Sequence, residues 1–219
     1  IINNYKIDNI DYSYLPDEIK CNSISLNILF ILLPTDLVLY YKNIFSKSNI
    51  FINQIICSSY AKSINYKHNL NLTGYASFVD IGFNKTSIIS FHNDNILSLD
   101  VLPIGGNNIT KDISQILKID LKKSEQLKCN FDQNVKDLNN ENISVDIFQK
   151  ITFARTEEIL ELCAKSIESK LYSGCKFKMV LMGDGSKILD NQYKEKITFL
   201  NEIDFLEETL EDICQSGFR

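Results

Sequence analysis

Apolar positions recur along this chain with two different periods. In the middle, Tyr75–Ile81 is a short apolar run and Thr86–Phe91 a second. Ile96–Ile104 is a third, with Leu97, Leu99 and Val101 on alternate positions, the period of a strand. His92–Asn95 between the last two is a turn rich in Asn and Asp. Three strands joined this closely predict an antiparallel meander. Elsewhere the spacing is helical. Leu37, Val38, Tyr41, Ile44 and Phe45 form one stripe after the breaker Pro34, with Thr35 or Asp36 as the cap. Ser58–Tyr66 places Ala61 and Ile64 on one side of a second helix. Ile109, Ile113, Ile116 and Leu117 line a third after Gly105-Gly106, and a fourth starts near Leu121. Ile151–Leu171 is the longest, with Ile159, Leu160, Cys163, Ile167 and Leu171 inward and the Glu161/Lys165 pair outward.

The remaining segments fit around these. Ile24–Leu33 reads as a strand buried on at least one face, and Ile50–Ile56 as a short apolar run, so residues 1–56 form part of a small α+β unit. Lys67–Gly74 and Asn130–Ser144 are polar connections. Lys178–Met182 is a strand, followed by the turn Gly183-Asp184-Gly185-Ser186. Beyond Asp190 the pattern blurs, with an amphipathic helix over Phe205–Cys214 and Gly217 as its terminator.

Composition narrows the classes. With 44% hydrophobic residues, 3 Pro and 8 Gly in 219 residues, the chain is neither disordered nor collagenous and is long enough for a real core. A net charge of −5 argues against nucleic acid as the main partner. All basic residues except Arg155 and Arg219 are Lys, and Ile and Asn abound, a codon bias rather than a functional signal. The 6 cysteines form no CxxC pair and lie at no ligand spacing from His68 or His92, which excludes a recognisable zinc motif and reads as reduced thiols. Neither His marks a triad, and no apolar run reaches the length of a membrane span.

The candidate chemistry lies in three glycine-bearing turns, each following an apolar strand: Asp80-Ile81-Gly82, Gly105-Gly106 and Gly183-Asp184-Gly185-Ser186. Glycine lets a phosphate or a flat base approach the backbone, and turn amides can act as anion donors. An Asp at a strand end can orient a hydrated metal. A single such turn is ordinary punctuation; their order carries more.

That order, strand–DIG–strand–strand–PIGG–helix–ExxK–helix–strand–GxGS, resembles the second half of the actin-like ATPases, and in detail the FtsA family of bacterial cell-division proteins. Phe78–Thr86 corresponds to that family's phosphate-2 segment. Leu102–Ile113 is similar to its PxGGxxxTxDI motif and Ser124–Lys128 to its AExxK helix. Ala154–Leu160 resembles its ARxEEI helix, and Met179–Ser186 stands where the adenosine motif would be. The likeness runs over about residues 24–190. Upstream, Ser58-Ser59-Tyr60-Ala61 takes the place of the family's PLAS helix.

The resemblance implies an α/β, actin-like (ribonuclease H-like) ATPase fold, of which this chain would hold the second lobe. Residues 1–56 would be a remnant of subdomain 1C and 57–73 a helix and connection of lobe 1. Residues 74–219 would be lobe 2, with subdomain 2B at about 107–176. Residue 1 is Ile, and the expectation is a truncated piece of a two-lobed clamp. The implied cofactors are ATP and Mg2+, the ion held through water and phosphates. Asp80, Gly82, Phe83, Asn84, Lys85 and Thr86 would face the phosphates and the ion, and Gly105 and Gly106 would line the cleft. Glu125 and Lys128 would hold the ribose and flank the adenine, with Gly183, Gly185 and Ser186 beneath it. Two family glycines are replaced by Phe83 and Asn84, so the Phe83 ring either points outward or obstructs a phosphate, while Lys85 offers a charge. Asp184 brings a negative charge in place of another glycine.

The implied role is a scaffold that binds ATP, is at most a weak ATPase, and self-associates into protofilaments. It would bind the FtsZ C-terminal tail on subdomain 2B at the cytoplasmic face of the inner membrane, at the division septum. Attachment to the membrane would run only through a missing C-terminal helix. A PilM-like pilus-assembly homologue and a degenerate actin-fold protein without nucleotide remain alternatives. A sugar kinase is disfavoured, because it needs a catalytic carboxylate positioned against a substrate hydroxyl and nothing in this sequence marks one.

Overall fold

The computed structural model describes residues 2–12, 14–129, 143–171, 175–188, 203–206 and 214. The chain opens with β1 (Ile2–Ile7), β2 (Ile10–Tyr12) and β3 (Ile24–Ile28), then α1 (Thr35–Ser46) and α2 (Ser58–Asn69). The meander follows as β4 (Tyr75–Ile81), β5 (Thr86–His92) and β6 (Asn95–Leu102). Next come α3 (Gly106–Leu117), α4 (Leu121–Cys129) and α5 (Val145–Glu168), and then β7 (Lys178–Met182), a 3-10 turn over Asp184–Ile188 and β8 (Ile203–Phe205).

The main sheet has five strands in the order β6-β5-β4-β7-β8. β4, β5 and β6 pair antiparallel, as tight turns dictate, whereas β7 lies parallel to β4, as a strand returning through a helical crossover must. β4 and β7 are therefore central and covered on both faces. Their side chains alternate between two cores. Val79, Ile81, Met179 and Leu181 face a core built with α3, α4 and α5 (Ile109, Ile113, Leu127, Phe148, Leu160). Phe78, Val180 and Met182 face the other with Ile89, Phe91 and Tyr66, against which Tyr60 and Ile64 of α2 pack. This mixed sheet, with helices packed on both faces, agrees with the α/β class that the actin-like resemblance implies.

Several expectations need correction. β3 ends at Ile28 rather than Leu33, and it is not buried: Ile24, Leu26 and Ile28 are all exposed, because side chains on both faces of this strand of the small sheet β2-β1-β3 are left uncovered among the described residues. The stripe on α1 is likewise exposed except for half-buried Val38, and neither Thr35 nor Asp36 caps it: Pro34 holds the cap position with no side-chain bond. In α2 the buried residues are mostly polar (Ser59, Lys62, Ser63 and Asn65, with Tyr66) while Ala61 and Ile64 are only half-buried, and the helix runs on to Asn69. His92 closes β5 and stacks on Tyr75 at 4.2 Å instead of opening the turn. Ile116 is exposed on α3. The expected long helix starts at Val145, where Ser144 accepts from the Ile147 amide, and ends at Glu168. Phe205 belongs to a strand. Most of the expected loop after Asn130 and of the helix after Phe205 lies outside the described residues. All six cysteines are free thiols.

Candidate functional site

The three glycine turns meet at one end of the main sheet, around Gly106. The Gly82 amide closes its own turn by donating to Lys85 O at 3.0 Å. That turn then lies across the start of α3: the Gly106 amide donates to Gly82 O at 2.9 Å and the Asn107 amide to Phe83 O at 2.7 Å. Asn107 also donates from its side chain to Asn84 Oδ1 at 2.9 Å, and Asn108 Oδ1 accepts from the Gly105 amide at 3.1 Å. A Cβ on Gly105 would stand 2.5 Å from Gly82 O and 2.8 Å from Phe83 O, so only glycine allows this approach. A Cβ on Gly106 would stand 4.0 Å from the Gly185 Cα, which brings in the third turn. The sequence expected these amides to serve as anion donors. Those of Gly82, Gly106 and Asn107 are instead engaged with the protein's own carbonyls.

Asp80, at the end of β4, faces α2. Its Oδ2 accepts from the Ser59 hydroxyl at 2.7 Å and pairs with the Lys62 ammonium at 3.0 Å. The two side chains are 8% and 13% exposed for Lys62 and Asp80. On its other side, Oδ1 lies where a Cβ on Gly183 would be only 2.4 Å away. Thr86, expected to face phosphate, is fully buried and donates its hydroxyl to Ile104 O at 2.7 Å. Phe83, Asn84 and Lys85 are exposed at the turn's outer edge, Phe83 by 54%.

Glu125 and Lys128, one turn apart on α4, close a small polar network over α3. The Lys128 ammonium donates to Gly106 O (3.0 Å), Thr110 Oγ1 (2.8 Å) and Glu125 Oε2 (2.7 Å). Thr110 donates to the same Glu125 oxygen, and the Cys129 thiol donates to Glu125 Oε1 at 3.3 Å. Burial pushes the Glu125 carboxyl up, but the bonds from Lys128 and Thr110 and the Lys128 charge outweigh it and leave the group below the ordinary carboxylate range. Burial and the Glu125 carboxylate together raise the Cys129 thiol. The Lys128 ammonium also sits 5.7 Å from the centre of the Phe83 ring.

The last turn is packed rather than open. Gly183 has φ +86°, and Gly185 lies so close to Ile81 that a Cβ would be 2.6 Å from its carbonyl oxygen. Ser186 is buried and donates its hydroxyl back to Gly183 O at 2.7 Å. Asp184 pairs with Lys187 at 2.6 Å on the surface. All thirteen residues singled out by the sequence thus share one end of the sheet, but Thr86 and Ser186 turn inward. Lys62, Ser59 and Thr110 were missed as site residues. Thr110 lay within the motif over 102–113; Lys62 and Ser59 sit three apart on the polar side of α2, where an apolar-stripe search does not look.

A divalent ion does not fit at Asp80. Held through a water, Mg2+ needs an uncompensated carboxylate facing the cleft, whereas Asp80 already carries an internal ammonium and a hydroxyl on Oδ2. Among the described residues no cluster of three or more His, Cys, Asp or Glu side chains could hold a metal. A cavity of about 480 Å³ opens elsewhere, beside α2 and β5, lined by Tyr60, Ile64, Lys67, Phe91 and Asp94. Among the described residues no helix is long and apolar enough to cross a membrane.

The family model "Cell division protein FtsA" matches residues 77–188, the stretch that carries all three turns. The cell division protein FtsA of Bacillus subtilis is 34% identical over 108 residues, covering 42% of this chain and 24% of that protein. FtsA of Streptococcus pneumoniae is 27% identical over 128 residues, covering 52% of this chain and 28% of that protein. The chain therefore spans about a quarter of the length of these relatives. Among solved structures, MreB 5 of Spiroplasma citri bound to AMPPNP superposes with a TM-score of 0.62 at 14% identity, over 85% of this chain and 64% of that one. The ethanolamine utilization protein EutJ from Carboxydothermus hydrogenoformans gives 0.56 at 15% identity, over 75% and 55%. A PilM–PilN type IV pilus biogenesis complex gives 0.50 at 16% identity, over 74% and 45%. These structural likenesses establish the actin-like fold.

Proposed function

Because the chain belongs to the FtsA family of cell division proteins, we propose that it is the second-lobe part of a division scaffold that binds ATP over its glycine turns. The observation that carries the reading is the meeting of the turns at Gly82, Gly106 and Gly185 beside Glu125 and Lys128. In this reading the phosphates lie over the turn from Gly82 to Thr86 and the base lies towards Lys128 and the Gly183–Ser186 turn. Lys85, exposed at the tip, supplies positive charge to the phosphate side. The structure of MreB 5 bound to AMPPNP supports nucleotide as the ligand class through the shared fold. Residues 1–56 correspond to subdomain 1C, 57–73 to lobe 1 and 74–219 to lobe 2, with 2B at about 107–176 as the docking surface for the FtsZ tail.

The scaffold self-associates and acts at the cytoplasmic face of the membrane at the septum. Two measurements on the intact chain test this: nucleotide titration by calorimetry, and co-sedimentation with a peptide of the FtsZ C-terminal tail. Saturable binding in both is expected. Failure to retain the peptide would count against the FtsZ link, and failure to bind ATP against the cleft. The PilM-like reading has the fold in common but no specific residue that favours it here.

A further inference from the structure

We propose that Lys62 is a built-in counter-ion for Asp80 that takes the place of a divalent cation, so that phosphate groups enter this cleft without bringing Mg2+ to Asp80. The inference rests on the reading of the cleft as the phosphate side of a nucleotide site, and its test separates the two.

Position comes first. Lys62 lies one turn after Ser59 on α2, so both reach the same Asp80 oxygen, at 3.0 Å and 2.7 Å. α2 is held at this height by its own packing: Tyr60, Ile64 and Tyr66 fill the second core against Phe78, Ile89 and Phe91. Ser63, next to Lys62, donates its hydroxyl to Ser59 O at 2.6 Å, which keeps the turn carrying both groups in place. On its other side Asp80 Oδ1 occupies the space that a Cβ on Gly183 would need, 2.4 Å away, so glycine at 183 leaves room for the carboxylate.

Electrostatics comes second. With Lys62 8% exposed and Asp80 13% exposed, the pair sits in low dielectric, where an unpartnered charge is costly and a third charge is strongly felt. A divalent ion reached through one water would stand close to the ammonium and repel it. Displacing Lys62 instead would strand a buried cation. A neutralised Asp80 also removes the repulsion that an anionic phosphate would otherwise meet at the strand end, which is what the metal would have done.

The probe is Mn2+, followed by electron paramagnetic resonance on the nucleotide-free intact chain, wild type beside Asp80→Asn. The expected result is no bound Mn2+ signal that depends on Asp80; a bound signal lost in Asp80→Asn overturns the proposal. In parallel, a fluorescent ATP analogue is titrated in Mg2+ and in chelator. Wild type and Lys62→Arg are expected to keep the same affinity within about twofold, while Lys62→Ser becomes Mg2+-dependent by about tenfold. A tenfold Mg2+ dependence in wild type overturns the proposal even if Lys62→Ser does not fold. If the analogue binds in no sample, the nucleotide reading fails and the Mn2+ comparison alone decides the counter-ion role.

Discussion

Arg155 of α5 grips Asp112 of α3 with two parallel bonds, Nε to Oδ2 at 2.5 Å and Nη2 to Oδ1 at 3.1 Å, across 43 positions of sequence. Its Nη1 reaches Glu158 at 2.5 Å. The fork thereby ties the motif over 102–113 to the ARxEEI-like helix and fixes α5 over α3. The bond to Asp112 comes first among the causes that raise the guanidinium above its ordinary range. Arg155→Ala is expected to cost about 1.5–3 kcal/mol, as loss of charged hydrogen bonds does, and Arg155→Lys to recover only part because an ammonium cannot fork. Urea denaturation of the two variants, with Asp112→Asn as the partner arm of a double-mutant cycle, measures the coupling.

The glycines divide by what a methyl group would meet. At Gly105 a Cβ would lie 2.5 Å from a backbone oxygen, and at Gly183 it would meet Asp80 Oδ1 at 2.4 Å on a backbone of φ +86°. Gly74 has φ +74° but open space around it. Gly74→Ala should therefore cost only the left-handed penalty of about 1–2 kcal/mol; Gly105→Ala, on an extended backbone, forces turns apart, Gly183→Ala does so on top of that penalty, and both should lower the melting temperature much further. Thermal unfolding followed by circular dichroism ranks the three; equal effects would contradict the packed junction.

The meander and the strand at 178–182 were legible because strands buried on one or both faces leave short apolar runs bounded by Asn, Asp and Gly. The glycine turns were legible in sequence order, but not what their amides do, since the bonds from Gly106 to Gly82 and from Asn107 to Phe83 join segments more than twenty residues apart. The apolar stripe of α1 and the run in β3 suggested burial that the described residues do not supply, because periodicity reports which side is apolar and not what covers it. Lys62 was opaque for the opposite reason. A lysine on a helix reads as solvated until its partner at Asp80, brought over by β4, is in view.

Glu125 makes stability depend on acid. Its folded-state carboxyl lies below the ordinary range through Lys128 and Thr110 despite the burial that opposes them. A group lowered on folding contributes above its unfolded value, and that contribution is lost as pH falls through the folded value. Wild type should therefore exceed Glu125→Gln in urea midpoint at neutral pH, and the gap should close on acidification through and below the ordinary carboxylate range. A gap constant down to strongly acid pH would show that Glu125 contributes packing only.

Phe83 stands beside Lys128, the residue 54% exposed and its ring centre 5.7 Å from the ammonium. Because the ring is outward, Phe83→Ala should leave stability within about 0.5 kcal/mol, as exposed substitutions do. On the proposed reading it should tighten binding of a fluorescent ATP analogue by uncovering the Lys128 side of the cleft. Weaker binding would mean that the ring is itself a contact for the ligand.

Cys163 should be inert until the protein opens. It is fully buried on α5 within the first core, and burial pushes its thiol up to about 12. The thiolate is the reactive form, so both access and ionisation are denied in the folded state. Cys129 is exposed, slowed only by its raised thiol beside Glu125. Pulse alkylation with mass-spectrometric readout should label Cys129 and Cys214 in native buffer and Cys163 only along the urea unfolding curve. Labelling of Cys163 at the rate of Cys129 in native buffer would mean that α5 does not close the core as described.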